Sequence, residues 1–402
     1  MGEILKDFAL KFNGSIRLEA RAERLTTEAG ALLLREVDER LGLSRWLADR
    51  LKDNRTPERI VHPLVELVRT HLLLLGQGWR DQDDADELRQ DAALKLAVSE
   101  RKSTGPVQQQ QGAPQGLASQ PTLSRVMGIL ASEHNRQALS EGLAWATGQR
   151  LRAKQAGGQK LEQVTVDVDS LPVEVHGEQP GSAYNGHYHT RIYHPLVALL
   201  AESGDMVDVQ LRQGQVHTAN AALGFIEPVL TRVERYVSKQ VALRMDAGFP
   251  EDTLLSALEQ RGTAYVARVR NTRVLKDEAA LPRFMHLGLP SGEPKTYFYE
   301  WQYQAQGWSR PRRAVLVLQQ VQGELFPNAF WLVTSWTAQQ MSVETISRKR
   351  GVAIAAPEIA GAKKGEARSR SGAGCGLLGR SSWRGLAAGY REVERLDSGR
   401  WM

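Results

Sequence analysis

Cysteine is almost missing from this chain. Cys375 stands alone in 402 residues, so no internal disulfide can form and no paired-cysteine zinc site is available. Long apolar runs are missing too. The longest, Leu196 to Ala201, has six residues, far short of the roughly 20 that a membrane-spanning helix needs. The first residues, Met1 to Asp7, lack the basic and apolar blocks of a secretory leader. A cytoplasmic protein with no membrane association is therefore expected. HExxH, CxxC and GxxxxGK(S/T) are all absent. Gly374-Cys375-Gly376-Leu377-Leu378-Gly379 is a formal GxGxxG, but no strand precedes it and no patterned helix follows, so the dinucleotide reading fails. What is present is ordinary for a globular protein: 42% hydrophobic and 24% charged residues, with length enough for two or three domains.

The net charge is +6, and it is unevenly placed. From Arg348 onward there are 12 Lys/Arg against 5 Asp/Glu, so the tail carries the whole excess and the rest is close to neutral. Basic residues displace counterions from phosphate, which suits a nucleic-acid partner. On charge alone, a solvated basic tail explains the same numbers.

Residues 1–150 read as a helical region. Thr26 to Asp49 carries Leu32, Leu33, Leu34, Val37, Leu41 and Leu43 at helical spacing. Pro57 to Leu75 is a second apolar helical stretch, kinked or delayed by Pro63. Asp83 to Val98 is a third. Gly105 to Gly116 is polar and rich in Gln, Gly and Pro, as exposed loops are. Ser119 or Thr122 would then cap a helix that presents Ser124 and Arg125 outward. That is the start expected of a recognition helix, and equally of an ordinary capped surface helix. Glu133 to Gln149 is helical, and Ala153 to Lys160 reads as a linker.

The period then changes. Val164, Val166 and Val168 alternate with Thr165, Asp167 and Asp169, which predicts a strand with both aspartates on one face. Tyr193–Ala201 and Met206–Leu211 are two more strands, joined by a Glu202-Ser203-Gly204-Asp205 hairpin turn. Helix 219–236, strand 241–245, helix 250–261 and strand 264–269 follow. The fold class is α/β: a ribonuclease-H-like mixed sheet over 160–271 and 329–351. Residues 272–328, with Tyr297, Phe298, Tyr299, Trp301, Tyr303 and Trp308, read as a β-rich insertion, and 352–402 as an irregular basic tail.

Phosphodiester cleavage with two metal ions needs carboxylates from separate elements that converge in space. Asp169 lies near the end of the first strand of this sheet. Asp246 ends a strand expected beside it, before the tight turn Ala247-Gly248-Phe249. Strand ends are where α/β sheets place their ligands. Each aspartate also serves as a plain strand or turn cap in the alternative reading. Asp167 shares the face of Asp169 and is a ligand or supporting group there. His187, His189 and His194 lie close in sequence. They would make a zinc site only if they converged, and polar strand-edge histidines near DNA are the other reading.

Val166-Asp167-Val168-Asp169-Ser170-Leu171-Pro172-Val173-Glu174-Val175-His176-Gly177 resembles the first catalytic block of DDE transposases of bacterial insertion sequences, in the group numbered thirteen-eighty. Tyr184-Asn185-Gly186-His187-Tyr188-His189 and Arg244-Met245-Asp246-Ala247-Gly248-Phe249 resemble the same group. So do Gly78-Trp79-Arg80-Asp81-Gln82-Asp83-Asp84-Ala85 and Asp91-Ala92-Ala93-Leu94-Lys95-Leu96. The resemblance runs from about residue 10 to about 351. It implies a ribonuclease-H-like domain that cuts and transfers DNA with Mg²⁺ or Mn²⁺, with Asp169 and Asp246 as the first two acidic ligands. It implies that the N-terminal helices bind the terminal inverted repeats, with a homodimer on double-stranded DNA. Arg80, Ser124, Arg125, His187, His189, Arg348, Lys349 and Arg350 are the DNA-contact candidates. The aromatic insertion would sit near the active site, where Trp301 or Trp308 would stack on a base; core packing is the alternative for both.

The sequence departs from that pattern at its third acid. The family's C-terminal helix carries a tyrosine, an arginine, a glutamate and a lysine at fixed spacing. Arg350 fits its arginine, but Ser347 stands at the tyrosine, Ile354 at the glutamate and Gly361 at the lysine. Glu344, Glu358 and Glu366 are the nearby acids, all at other spacings. Residues 351–402 hold ten glycines, seven arginines and five serines. That composition reads as a gene out of frame after about codon 351, or as a basic tail for DNA. The second functional reading is a DNA-binding relic that lacks the third acid. A metal-dependent nuclease without strand transfer is a third.

Overall fold

Gly42 and Pro63 set the first breaks in the chain. Gly42 takes the left-handed conformation (φ 76°) between two helices that the apolar pattern runs together, a position that favours glycine. Pro63, with no N–H to donate, delays the next helix to Leu64. The computed structural model describes residues 8–14, 16–18, 28–79, 81–100, 116–155, 163–288, 295–320 and 325–351. It divides into two units, residues 1–160 and 161–402.

The first unit holds helices α1 (Gly30–Leu41), α2 (Leu43–Ala48), α3 (Leu64–Gln77), α4 (Asp84–Glu87), α5 (Ala92–Val98), α6 (Gln120–Leu130) and α7 (Glu133–Gln155). It is not all helical: β1 (Phe8–Ala9) and β2 (Arg17–Leu18) form a short antiparallel ribbon ahead of them. The stretch Asp83–Val98 is also broken in two. Asp91 accepts from the Leu94 N–H at 2.7 Å and starts α5, as a capping aspartate does. α7 continues to Gln155, into the stretch read as linker. Leu32, Leu67, Leu73, Leu94, Leu123 and Val126 form the core. Arg69 and Arg35, both buried, donate to the Val98 and Ala97 carbonyls at 2.7 and 3.4 Å. They satisfy the end of α5 from inside the unit. Burial, with the Arg69 charge beside it, pulls the Arg35 guanidinium down to about 10.

The second unit is built on one sheet. Its elements are β3 (Gln163–Ser170), β4 (Val173–Glu174), β5 (Ala183–Asn185), β6 (Thr190–Tyr193), β7 (Leu196–Leu200), β8 (Met206–Gln210), α8 (Ala222–Tyr236), β9 (Gln240–Met245), α9 (Asp252–Arg261) and β10 (Ala264–Val269). Then come α10 (Arg273–Met285), β11 (Lys295–Tyr303), β12 (Arg312–Gln320), β13 (Asn328–Thr334) and α11 (Val343–Gly351). The main sheet runs β11-β12-β13-β10-β9-β3-β7-β8. β3, β9 and β10 are mutually parallel, and every other pairing is antiparallel. A second, three-stranded sheet, β4-β6-β5, sits between β3 and β7 in sequence.

Residues 272–328, read from the sequence as a β-rich insertion, lie between β10 and β13. They contribute helix α10 and two long strands that extend the main sheet, β12 pairing β13 and β11 closing the edge.

Register divides the sheet into two faces. Val168 opposes Met245 and Ala198, and Ala198 opposes Asp208, which pairs with Arg232 of α8. So α8 covers the face of Val166 and Val168. α10 covers the same face, since the Trp331 indole donates to the Leu275 carbonyl at 3.1 Å. The opposite face carries Ala242, Val266, Val315, Val317, Phe330 and Leu332, closed by Ile346 of α11. Among the described residues, no helix is long and apolar enough to cross a membrane.

Candidate active site

β3 and β9 run side by side with Asp167 opposite Arg244 and Val168 opposite Met245. The next step of that register sets Asp169 beside Asp246, at the C-terminal ends of two neighbouring parallel strands. By alternation both carboxylates lie on the face that α11 covers, away from α8. Both residues are exposed. Asp169 Oδ1 accepts the Ser170 N–H at 2.7 Å, so the capping role is present. Its carboxyl is nevertheless pushed up to about 6. Partial desolvation among the surrounding elements is the first cause; the negative charges of Asp246 and then Asp167 add to it, against the Ser170 hydrogen bond.

Asp167 stands differently. It is joined to the buried guanidinium of Arg244 by a two-point ion pair. Its oxygens are committed to that arginine, so Asp167 supports the centre and is not placed as an open ligand. No ion pair engages Asp169 or Asp246 among the described residues.

A loop closes one side of the pair. Arg212 donates through Nε to the His194 carbonyl at 3.0 Å and through Nη1 to the carbonyls of His217, Thr218 and Asn220 at 3.3, 3.2 and 3.0 Å. Asn185 donates to the Gly214 carbonyl at 2.7 Å. A Cβ on Gly214 would collide with the carbonyls of Ile192 and Ala183, so only glycine lets the loop approach the small sheet. The loop delivers Thr218, whose hydroxyl is 3.0 Å from that of Ser170, and which lies hard against Gly248. One side chain thus touches the residue after Asp169 and the turn after Asp246.

Tyr188 lies at the β5–β6 hairpin, its ring 5.9 Å from that of His194. Its hydroxyl is raised above the usual tyrosine range by desolvation, and next by the charges of Asp169 and Asp246. The hairpin is held by His189 in the left-handed conformation (φ 55°), whose N–H donates to the Asn185 carbonyl at 2.8 Å. His187 and His189 are exposed there. His194 is buried and its Nδ1 donates to the Val216 carbonyl at 2.8 Å. The three histidines do not make a zinc site; among the described residues no group of three metal-binding side chains is gathered.

Residues 8–354 match the family described as transposase DDE domain group 1. The chain belongs to that family. No curated protein matches it. Among solved structures, a piggyBac transposase synaptic complex with hairpin DNA, determined by cryo-EM, is similar over 80% of this chain and 65% of that one, at 12% identity and a TM-score of 0.33. At that level the likeness carries no argument.

The remaining candidates of this transposase-family chain are scattered over both units. Ser124 and Arg125 are exposed on α6, between the buried Leu123 and Val126. Arg348 and Glu344 are exposed on α11. Lys349 and Arg350 also lie in α11, but their side chains, like Arg80, Ile354, Glu358, Gly361, Glu366 and the rest of the tail, fall outside the described residues. Trp308 is buried and its indole donates to the Pro250 carbonyl at 3.3 Å, which is core packing. Trp301 packs edge-on against Trp331, 5.1 Å between ring centres. By register Trp301 belongs to the sheet face opposite the two carboxylates. It lines a cavity of about 600 Å³ with Glu300, Arg313, Ser335 and Trp336. That cavity is at the start of β10, the far end of the strands from the acidic pair.

Sequence reasoning missed Tyr188, Thr218 and Arg212. Tyr188 had a signal, since it lies inside the quoted His187-Tyr188-His189 block. Thr218 and Arg212 had none, because their roles come from contacts between distant segments.

Proposed function

We propose that this chain is the transposase of a bacterial insertion sequence, cleaving DNA at the element's ends and joining it to a target. The observation that carries the reading is the register of β3 and β9, which makes neighbours of Asp169 and Asp246. Strand order supports a ribonuclease-H-like domain. Within the sheet, β8-β7-β3-β9-β10 is antiparallel up to β3 and parallel after it, with helices α8 and α9 in the two crossovers.

The donor set suits a hard divalent cation. Two carboxylates converge, no described cation neutralises them, and their mutual repulsion is part of what raises Asp169. Asp169 and Asp246 would hold Mg²⁺ or Mn²⁺, which supplies charge neutralisation at the phosphate and a more acidic bound water. The chain's own work is positional. β3 and β9 fix the carboxylates, Arg244 pairs with Asp167 beneath them, and the Arg212-braced loop closes one flank. In this reading the helical residues 1–150 bind the terminal inverted repeats, Ser124 and Arg125 of α6 among the contacts, and two copies act together on double-stranded DNA.

Cleavage of an end-bearing duplex tests it. Activity should need Mg²⁺ or Mn²⁺ and fall about 100-fold or more in Asp246→Asn, the scale of lost metal-based charge stabilisation. Cleavage that persists in the variant overturns the assignment.

Ile354, at the position where the family resemblance places a glutamate, favours a second reading. In it the chain binds element ends but cannot cut them. Duplex binding without metal-dependent cleavage by the wild-type chain would establish that relic.

A further inference from the structure

The acidic pair has a basic neighbour that the proposed chemistry has not used. β10 lies beside β9 in parallel, with Ala267 opposite Met245. The next step sets Arg268 beside Asp246, so a row Asp169, Asp246, Arg268 crosses three adjacent strands on one face. Arg270 follows one alternation later, immediately past the end of β10. Neither arginine is in an ion pair among the described residues. Each lies against a ring instead. The Arg268 guanidinium lies 5.7 Å from the centre of the Phe330 ring. Arg270 Nη2 is 3.1 Å from His217 Nε2, and His217 is the residue before Thr218 on the braced loop.

A guanidinium presents five donors in a planar fork that binds phosphate oxygens two at a time. Here no described carboxylate forms an ion pair with Arg268 or Arg270. Arg270 is exposed, and its contact with the His217 ring leaves most of its donors open. From this juxtaposition we infer that Arg268 and Arg270 form a phosphate clamp on the DNA strand being cut, with His217 as the positioning residue that aims Arg270. The strand would run across the C-terminal ends of β3, β9 and β10. One phosphodiester would lie over the carboxylates and the adjoining phosphate on the arginines. The inference rests on the reading of the carboxylate pair as the cutting centre.

The test is duplex binding by the full chain, followed by fluorescence anisotropy from about 50 to about 200 mM NaCl, in EDTA and again in Ca²⁺. Arg268→Met and Arg270→Met keep the aliphatic stems and remove the charge. Each should weaken binding about tenfold and reduce the salt slope by about 0.9, one phosphate contact. Arg273→Ala, a fully solvated neighbour on α10 (96% exposed), should change binding less than about twofold. His217→Ala, which removes the ring beside Arg270, should weaken binding about threefold, and His217→Gln, which keeps a polar side chain of similar reach, should restore it. If Arg268→Met and Arg270→Met behave as Arg273→Ala does, the clamp is overturned. The EDTA series does not depend on the cation. Failure of the cutting-centre reading would appear separately, as Ca²⁺ binding unchanged in Asp246→Asn.

Discussion

Asp167 and Arg244 face each other in register across β3 and β9, and the carboxylates of Asp169 and Asp246 stand one alternation further along the same two strands. A buried ion pair therefore underlies an open, like-charged pair. The lower pair locks the two strands in the register that the upper pair requires.

Removing Arg244 should show this. Arg244→Met strands a largely buried carboxylate at Asp167, a loss of about 3 kcal/mol in urea unfolding. The double variant Arg244→Met, Asp167→Leu should recover most of it, because the uncompensated charge is gone. Full loss in the double variant would mean that the pair holds the fold by more than mutual neutralisation.

The Asp169 carboxyl titrates near 6 in the folded chain, against 3.8 for the ordinary group. The folded state thus binds the proton more tightly than the unfolded state. Its contribution is fully present below about pH 4 and is lost as pH rises through about 6. In metal-free buffer, Asp169→Asn should therefore raise the melting temperature at pH 7.5 and leave it nearly unchanged at pH 4. Solvent screening at this exposed site holds the gain to about 1 kcal/mol. A melting temperature that is equally shifted at both pH values would remove the electrostatic explanation.

Gly248 lies against the loop. A Cβ there would sit 2.9 Å from Thr218 Cγ2 and 3.0 Å from its Cβ. Gly248→Ala should displace Thr218 from Ser170, cost about 1–3 kcal/mol, and lower cleavage or DNA binding more than stability alone explains. Thr218→Ser in the same chain removes the methyl and should restore part of both losses. No recovery would place the damage in the turn itself.

α10 exposes Val274, Leu281, Phe284 and Met285, at 58, 68, 68 and 64%. Substituting Leu281 and Phe284 by Lys should alter stability by less than about 0.5 kcal/mol each and reduce concentration-dependent association in sedimentation, since contiguous apolar surface promotes it. A marked fall in stability would mean that those side chains are covered.

The acidic pair could be read from local pattern. Val164, Val166 and Val168 alternating with Asp167 and Asp169 gave the strand and its face, and Met245-Asp246-Ala247-Gly248 gave a strand end at a turn. The helix breaks at Gly42 and Pro63 lay equally close to the surface of the sequence. What stayed hidden depends on partners far along the chain. Nothing between Lys295 and Gln320 says that β12 will pair with β13 and join the main sheet; the aromatic alternation of Tyr297, Tyr299, Trp301 and Tyr303 describes a strand and no address. The two-residue strand β4 and three-residue β5 are too short to show any period. Arg212 reads as one more surface arginine until its four carbonyl partners are seen.

β3 and β9 are interior strands, each hydrogen-bonded along both sides. The ladder holds the Val168 and Met245 main chains about 4.8 Å apart, and Asp169 and Asp246 are the residues that follow directly on it. This ruler is built into the peptide geometry. Ion preference can drift only through what is hung on it, by lengthening an aspartate to a glutamate or changing the flanking groups, so variants selected for a different metal should carry their changes there and leave the two strands untouched.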